Sequence, residues 1–339
     1  MTTGHLLHES ERTILLIDEI QYAKNPSNFL KYLFDTYDRN LKIIATGSSA
    51  FYLDTKFKDS LAGRKKLFNL KTLNFKEYLL FIEKHELVSE LIQIRSRKEY
   101  LSARYNEILN YFNDYLIFGG YPVVVLEKNK KNKIDYLKEL VNSYIKKDIY
   151  ESKVENELKF YNLLELLASQ TTNIINKNEI ANTLMISQKT VERYIYIMRK
   201  CFYLNTLLPF YSNIRKEITK MPKIFFYDLG LRNVLINNFT NINNRNDKGQ
   251  LLENYVYIRL NELYDKDNIR YWRTTQQNEV DFIITETYRK GKAIEVKYDT
   301  SSLKQSKYNA FKKYYTNYPL QFVCFMSENL NIALPVLKL

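Results

Sequence analysis

EVDFIIT (residues 279–285) and KAIEVKY (residues 292–298) are the two stretches on which the reading of this chain turns. Both are apolar runs with charge at fixed places, Asp281 in the first and Glu295 and Lys297 in the second. An ionised side chain inside a strand is costly unless a metal or a lysine compensates it. Successive strand side chains point to opposite faces, so Glu295 and Lys297 share one face while Ile294 and Val296 take the other. Adjacent strands then bring two carboxylates and an ammonium together. This is the inventory for phosphodiester hydrolysis, in which carboxylates hold Mg²⁺ or Mn²⁺ and lysine orients or activates the attacking water. Asp281 and Glu295 are the expected metal ligands, and Glu253, beside Leu251 and Leu252 on the preceding helix, is a candidate third carboxylate. The plain reading of the same residues is a cross-strand surface pair and a solvated helix residue. Trp272, Gln276 and Gln277 are weaker candidates for lining a groove.

Around these strands the pattern predicts helix, three strands, helix, strand: QLLENYVYIRLNEL, IRYWRT, EVDFIIT, KAIEVKY, a helix around SKYNAFKKYY, and LQFVCFM. Upstream, the pattern predicts a winged helix-turn-helix, with a helix Lys177 to Leu184, a turn at Met185 and Ile186, and Ser187 as N-cap of a second helix. Val191, Ile195, Met198 and Phe202 recur at helical spacing for its buried face, and Gln188, Lys189, Thr190 and Arg193 lie near its start, where a recognition helix meets base edges. YLNTLLPF and KIFFYD read as strands flanking a basic wing, SNIRKEITK. Such a unit binds DNA or serves only in packing and protein contacts.

At the N-terminal side, TILLI (Thr13 to Ile17) and LKIIAT (Leu41 to Thr46) are apolar runs with a helical segment, Asn28 to Tyr37, between them. Two buried strands joined by a helix predict a parallel α/β sheet. ILLIDEIQ resembles a Walker B strand, in which Asp18 helps hold Mg²⁺ and Glu19 positions the attacking water. Thr46 stands at the polar tip of the next strand, and Arg64 in SLAGR is a candidate contact to a γ-phosphate. No GxxxxGK[ST] occurs in the sequence, although its amides and lysine cradle the phosphates. This chain is therefore expected to bind ATP poorly unless sequence outside it supplies the loop.

The whole chain has 339 residues, enough for several cores. With 45% apolar and 26% charged residues and no apolar run near the roughly 20 that a bilayer span requires, a soluble cytoplasmic protein with no membrane segment is expected. The N-terminus does not read as a secretory signal. Cys201 and Cys324 read as separate free thiols. Only His5, His8 and His85 are present, so any metal should be held by carboxylates. The formal charge of +13 fits a nucleic-acid partner, and fits equally a Lys- and Asn-rich composition of the kind AT-rich coding produces. Runs such as Lys128 to Lys133 read as solvated turns.

LLIDEIQ, ATGSSA, SLAGR followed by LNFKEYL, FGGYP, FFYDLGLRN, GQLLENYV, YWRT, EVDFI and IEVK follow one another along nearly the whole chain. Their succession resembles a prokaryotic family of AAA-type ATPases fused to a C-terminal domain of unknown function of the PD-(D/E)XK nuclease superfamily. The resemblance implies a multidomain α/β protein: a partial AAA-type core over 1–75, a helical region over 76–155, a winged helix-turn-helix over 156–245 and a PD-(D/E)XK-like domain over 246–339. It places Asp18 and Glu19 in the Walker B roles and Asp281, Glu295 and Lys297, with Glu253, at the nuclease-type positions. DNA is the implied partner, beside a homo-oligomer or another protein. The missing phosphate loop departs from the family pattern and puts ATP hydrolysis by this chain alone in doubt.

Overall fold

The computed structural model describes residues 13–37, 40–47, 61, 63–97, 99–211, 221–274 and 276–339. Strands β1 (Thr13–Ile17) and β2 (Leu41–Ala45) pair in parallel through the crossover helix α1 (Pro26–Tyr37), as the apolar runs predicted. The expectation that both strands are buried does not hold. Ile14 and Leu16 are 58% and 71% exposed. A sheet of two strands with one crossover helix has a second face that this helix does not cover, whereas fully apolar strands belong to sheets covered on both sides.

Five helices follow: α2 (Phe75–Phe81), α3 (His85–Ser96), α4 (Tyr105–Phe118), α5 (Pro122–Leu126) and α6 (Lys130–Glu151). Helix α2 starts with a capping box, Asn74 accepting from the Glu77 amide while the Glu77 carboxylate accepts from that of Asn74. The chain breaks at Gly119, Gly120 and Pro122, as expected, with Gly119 in a left-handed conformation (φ 74°) and Pro122 opening α5. The run Lys128 to Lys133 departs from expectation. It starts α6 under the cap of Asn129, and Lys133 is buried with its ammonium 5.3 Å from the centre of the Phe118 ring.

Helix α7 (Glu157–Ser169) leads into α8 (Lys177–Leu184) and α9 (Gln188–Lys200). Met185 turns the chain in a left-handed conformation, and the Ser187 hydroxyl caps α9 by accepting from the Thr190 amide at 3.0 Å. Val191, Ile195 and Met198 are buried together with Tyr194 and Ile197. Phe202 is not on this face: it lies beyond the helix, at φ 59°, and is half-buried, because the helix ends before the periodicity does. Strands β3 (Leu204–Leu207) and β4 (Lys223–Phe226) pair antiparallel. The basic stretch 212–220 between them lies outside the described residues.

After α10 (Leu229–Leu235) and α11 (Lys248–Leu263) comes a five-stranded sheet. Its strands β5 (Ile269–Arg273), β6 (Glu279–Thr287), β7 (Lys290–Lys297), β8 (Leu320–Cys324) and β9 (Leu334–Pro335) lie in sequence order. The first three form an antiparallel meander; β8 and β9 add in parallel after α12 (Asn309–Tyr314). The helix, three strands, helix, strand order matches the sequence reading, with β9 as an addition. Phe282, Ile284, Ile294, Val296 and Val323 pack into one apolar core with α11, α4 and α3. Trp272, Ile283, Ala293 and Phe322 join a second core with Phe311 of α12. Trp272 is thus a core residue, not part of a groove.

The motifs FGGYP and FFYDLGLRN meet in space. Asp228 caps α10 by accepting from the Leu231 amide at 2.9 Å and also accepts from the Gly120 amide at 2.8 Å. A Cβ on Gly119 would lie 2.2 Å from the Asp228 carboxylate, and one on Gly230 would lie 2.1 Å from the Phe118 carbonyl oxygen, so neither glycine leaves room for a side chain. The Asn233 amide donates to the carbonyls of Leu116 and Ile117, at 3.0 and 2.9 Å, satisfying the end of α4. Arg232 and Arg245, both buried, share the Asp247 carboxylate. Removing the Asp228 carboxylate deletes a helix cap, worth about 1 kcal/mol, and strands a buried amide at a further cost of about 1–3 kcal/mol. Asp228→Ala is therefore expected to lower unfolding free energy by about 2–4 kcal/mol in urea titrations. An unchanged midpoint would remove Asp228 from the support of this joint.

Candidate functional site

Two groups of polar side chains stand at strand ends. In the N-terminal sheet, the Thr46 hydroxyl donates to the Asp18 carboxylate, and the Glu19 amide donates to the Thr46 oxygen at 3.4 Å. Glu19 takes a left-handed backbone conformation (φ 51°), uncommon for a side chain of its size. Its carboxylate accepts from Gln21 and lies 3.5 Å from the Lys147 ammonium of α6. Asp18, Glu19 and Thr46 are thus brought together at the carboxyl ends of parallel strands, where open α/β sheets bind ligands. Arg64 pairs with Asp35 of α1 at 3.1 Å.

The second group belongs to the C-terminal sheet. The register of β6 and β7 pairs Phe282 with Ile294, and beyond that pair the strands are joined through side chains. The Asp281 amide donates to Glu295 Oε2 at 3.3 Å, and the Val296 amide to Asp281 Oδ2 at 2.8 Å. Each carboxylate thus accepts a main-chain N–H of the opposite strand. Lys297 donates to Glu295 Oε1, as the two-residue period predicted, and the Tyr308 hydroxyl donates to the same oxygen at 2.7 Å. Asp281 and Glu295 are buried, and Lys297 is half-buried.

Sequence reasoning did not anticipate Lys223. This first residue of β4 has a side chain only 3% exposed, and its ammonium lies 2.9 Å from Glu253, 2.5 Å from Glu279 and 3.5 Å from Asp281. Glu279 was missed as well, although a signal existed: it lies two residues before Asp281 in one strand and so shares its face. Glu279 also pairs with Arg273 at 3.1 Å. Nothing local in KIFFYD marks Lys223, whose partners come from a helix and a strand at least 30 residues further along the chain.

Four carboxylates thus stand around Lys223 and Lys297. Burial, reinforced by the negative charge of Asp281, pushes Glu253 up to about 8 against the pull of Lys223. The same two causes push Glu295 up to about 7 against Lys297 and Tyr308. Burial opposes the charge on Lys223, yet Glu253, Asp281 and Glu279 outweigh it and hold the ammonium well above its ordinary value. Lys297 is likewise raised, with burial outweighed by Asp281 and Glu295.

The divalent ion expected at Asp281 and Glu295 does not fit this arrangement. Both oxygens of each carboxylate already face a donor or a lysine. Where Glu253, Glu279 and Asp281 converge, the cation present is the Lys223 ammonium. Among the described residues no set of three His, Cys, Asp or Glu side chains is disposed to hold a metal. Of the residues expected at a recognition helix, Gln188 and Lys189 are exposed. Thr190 is hydrogen-bonded to the Ser187 cap at 2.8 Å, and Arg193 is tied to Glu155 and the Lys153 carbonyl. Among the described residues no helix is long and apolar enough to cross a membrane, and Cys201 and Cys324 are free.

Comparison with known proteins agrees with this division of the chain. Residues 2–79 match a family described as an AAA domain. Residues 109–242 match a domain of unknown function (DUF8612), and residues 248–333 match a second (DUF4143). The chain thus carries an AAA-type segment, which points to an ATPase-type function, ahead of a C-terminal domain of unknown function. The uncharacterized protein MJ1637 of Methanocaldococcus jannaschii is 30% identical over 305 residues, covering 87% of this chain and 63% of its own length. The uncharacterized protein MJ1544 of the same archaeon is 29% identical, covering 80% and 58%. The uncharacterized protein Rv2008c of Mycobacterium tuberculosis is 22% identical, covering 80% and 56%. The chain therefore spans roughly three-fifths of the length of these relatives. No solved structure matches it significantly.

An acid held above its ordinary value keeps its proton in the folded state at a pH where the unfolded chain has lost it, so stability falls as pH rises. For Glu295 and Glu253 the loss begins near the ordinary 4.5 and is complete above about 7 and about 8 respectively. The melting temperature is expected to fall between pH 5.5 and 8.5, and Glu253→Gln, which cannot ionise, should flatten that slope. Identical slopes for the two proteins in thermal scans would show that Glu253 does not carry the effect.

Proposed function

We propose that this chain is part of a DNA-associated, AAA-type ATPase-family protein. In this reading its N-terminal unit senses nucleotide and its remaining units engage DNA. The observation that carries it is the convergence of Asp18, Glu19 and Thr46 at the ends of parallel strands within the segment that matches an AAA domain. Asp18 and Thr46 are placed to hold the Mg²⁺ of a bound nucleotide, and Glu19 to orient water, once a phosphate-binding loop from outside these residues completes the site. Helices α8 and α9 with strands β3 and β4 follow the order of a winged helix, and exposed Gln188 and Lys189 lie at the start of its second helix. The C-terminal sheet, with its meander, crossover helix and parallel strand, follows the order of a PD-(D/E)XK fold. A formal charge of +13 favours a phosphate-bearing partner.

A second reading is metal-dependent cleavage of DNA, favoured by the placement of Asp281, Glu295 and Lys297 on neighbouring strands. The arrangement around Lys223 argues against it. Plasmid and single-stranded DNA incubated with the chain in Mg²⁺, Mn²⁺ or EDTA should be retarded but not cut. Cleavage that needs metal and disappears in Asp281→Ala/Glu295→Ala would establish the second reading instead.

DNA affinity should fall steeply with salt, because displaced counterions make the logarithm of the binding constant linear in the logarithm of salt. Replacing one phosphate-contacting lysine lowers that slope by about 1. Lys189→Ala is expected to weaken duplex binding in anisotropy titrations and to reduce the slope by about 1, while Asp18→Asn leaves both unchanged. Absence of salt-sensitive binding would reject the DNA assignment. ATP should bind this chain only weakly, since no GxxxxGK[ST] lies within it.

A further inference from the structure

The Lys223 ammonium stands at a point where three carboxylates from two elements meet: Glu253 of α11, and Glu279 and Asp281 of β6. Hard divalent cations are held by convergent carboxylate oxygens of this kind. We infer that Lys223 is a built-in cation that occupies the place of a divalent ion, so that removing its charge turns this nest into a divalent-cation site. The inference is independent of whether the protein binds DNA or nucleotide.

Several observations fix the lysine there. Its backbone is part of β4, opposite Leu207 of β3, and also bridges to Ile174. Tyr271 covers it, with the ring centre 5.7 Å from the ammonium and the hydroxyl donating to the Met221 carbonyl at 2.6 Å. The hairpin carrying Lys223 is further tied to β5 by main-chain bonds, the Tyr271 amide donating to Leu208 at 3.1 Å and the Phe210 amide to Tyr271 at 2.5 Å. The side chain enters the nest from a docked element, unlike a surface lysine that could swing aside. One ammonium brings a single positive charge to three carboxylates, and Arg273 reaches only Glu279 among them. Without Lys223 the remaining anions would face one another in a poorly hydrated site, a state that favours a divalent ion strongly.

Lys223→Met keeps the length and apolar stem of the side chain and removes its charge. Mn²⁺ titrations followed by electron paramagnetic resonance, with thermal melting in Mn²⁺, Ca²⁺ and EDTA, read the outcome without any activity assay. In the wild type, Mn²⁺ should cause no melting shift and show no tight site. In EDTA, Lys223→Met should melt below the wild type, and in Mn²⁺ it should recover by several degrees. It should also bind one Mn²⁺ at least tenfold more tightly than the wild type, and adding Glu253→Gln should abolish that gain. If Lys223→Met is unfolded in EDTA, it should fold in millimolar Mn²⁺ or Ca²⁺. Three results would overturn the inference: a variant unfolded in every condition, a folded variant that gains no metal, or a wild type that binds Mn²⁺ equally well and loses it in Asp281→Asn.

Discussion

Charge taken out of water must be matched, and that constraint organises this molecule more than any single apolar contact. An isolated buried ammonium or guanidinium costs several kcal/mol after relaxation, so each must bring its own counter-charges. Lys223 meets that requirement with residues of α11 and β6, which locks the β3–β4 hairpin onto the C-terminal sheet. Arg232 and Arg245 meet it with Asp247, at the mouth of the helix that leads into the same sheet. Since the loss of one partner leaves the others unpaired, these pairs set the register between parts of the chain that are far apart in sequence.

The apolar cores agree with this arrangement. One core runs from Phe75 and Phe112 in the helical region to Phe282 and Val296 in the C-terminal sheet, so helices α2 to α4 pack on that sheet although more than 100 residues separate them. Another gathers α6 to α9 with β3, β4 and α10. Phe225 and Phe226, neighbours on β4, point to opposite sides and belong to different cores, which is what a strand does between two packed layers. Polar Asp228 and Asn233 close the junction by satisfying helix ends that neither core could.

This division explains where function is expected. The acid pair at Asp18 and Glu19 sits at the end of an open parallel sheet, a position suited to a phosphate-bearing ligand. The carboxylates of the C-terminal sheet stand in a strand fork, yet their charge is already met from within the protein. A nest of this kind holds parts together, whereas a catalytic metal centre keeps a position open for water or substrate.

Much of this was legible in the sequence because it depends on local periodicity. The order of strands and helices at the C-terminal end, the shared face of Glu295 and Lys297, the Ser187 cap and the break at Gly119 follow from alternation, capping and turn chemistry between near neighbours. The exposure of Ile14 and Leu16, the burial of Lys133 and the core position of Trp272 do not follow from it, because each depends on what packs against the element. Lys223 is the plainest case. A lysine at the head of an apolar strand carries no local mark of its partners, and its role exists only because folding brings Glu253, Glu279 and Asp281 around it. The sequence by itself determined which side chains share a strand face or a helix end; only the tertiary structure decided which distant charges meet, since Coulomb energy depends on separation in space and on exclusion of water, not on distance along the chain.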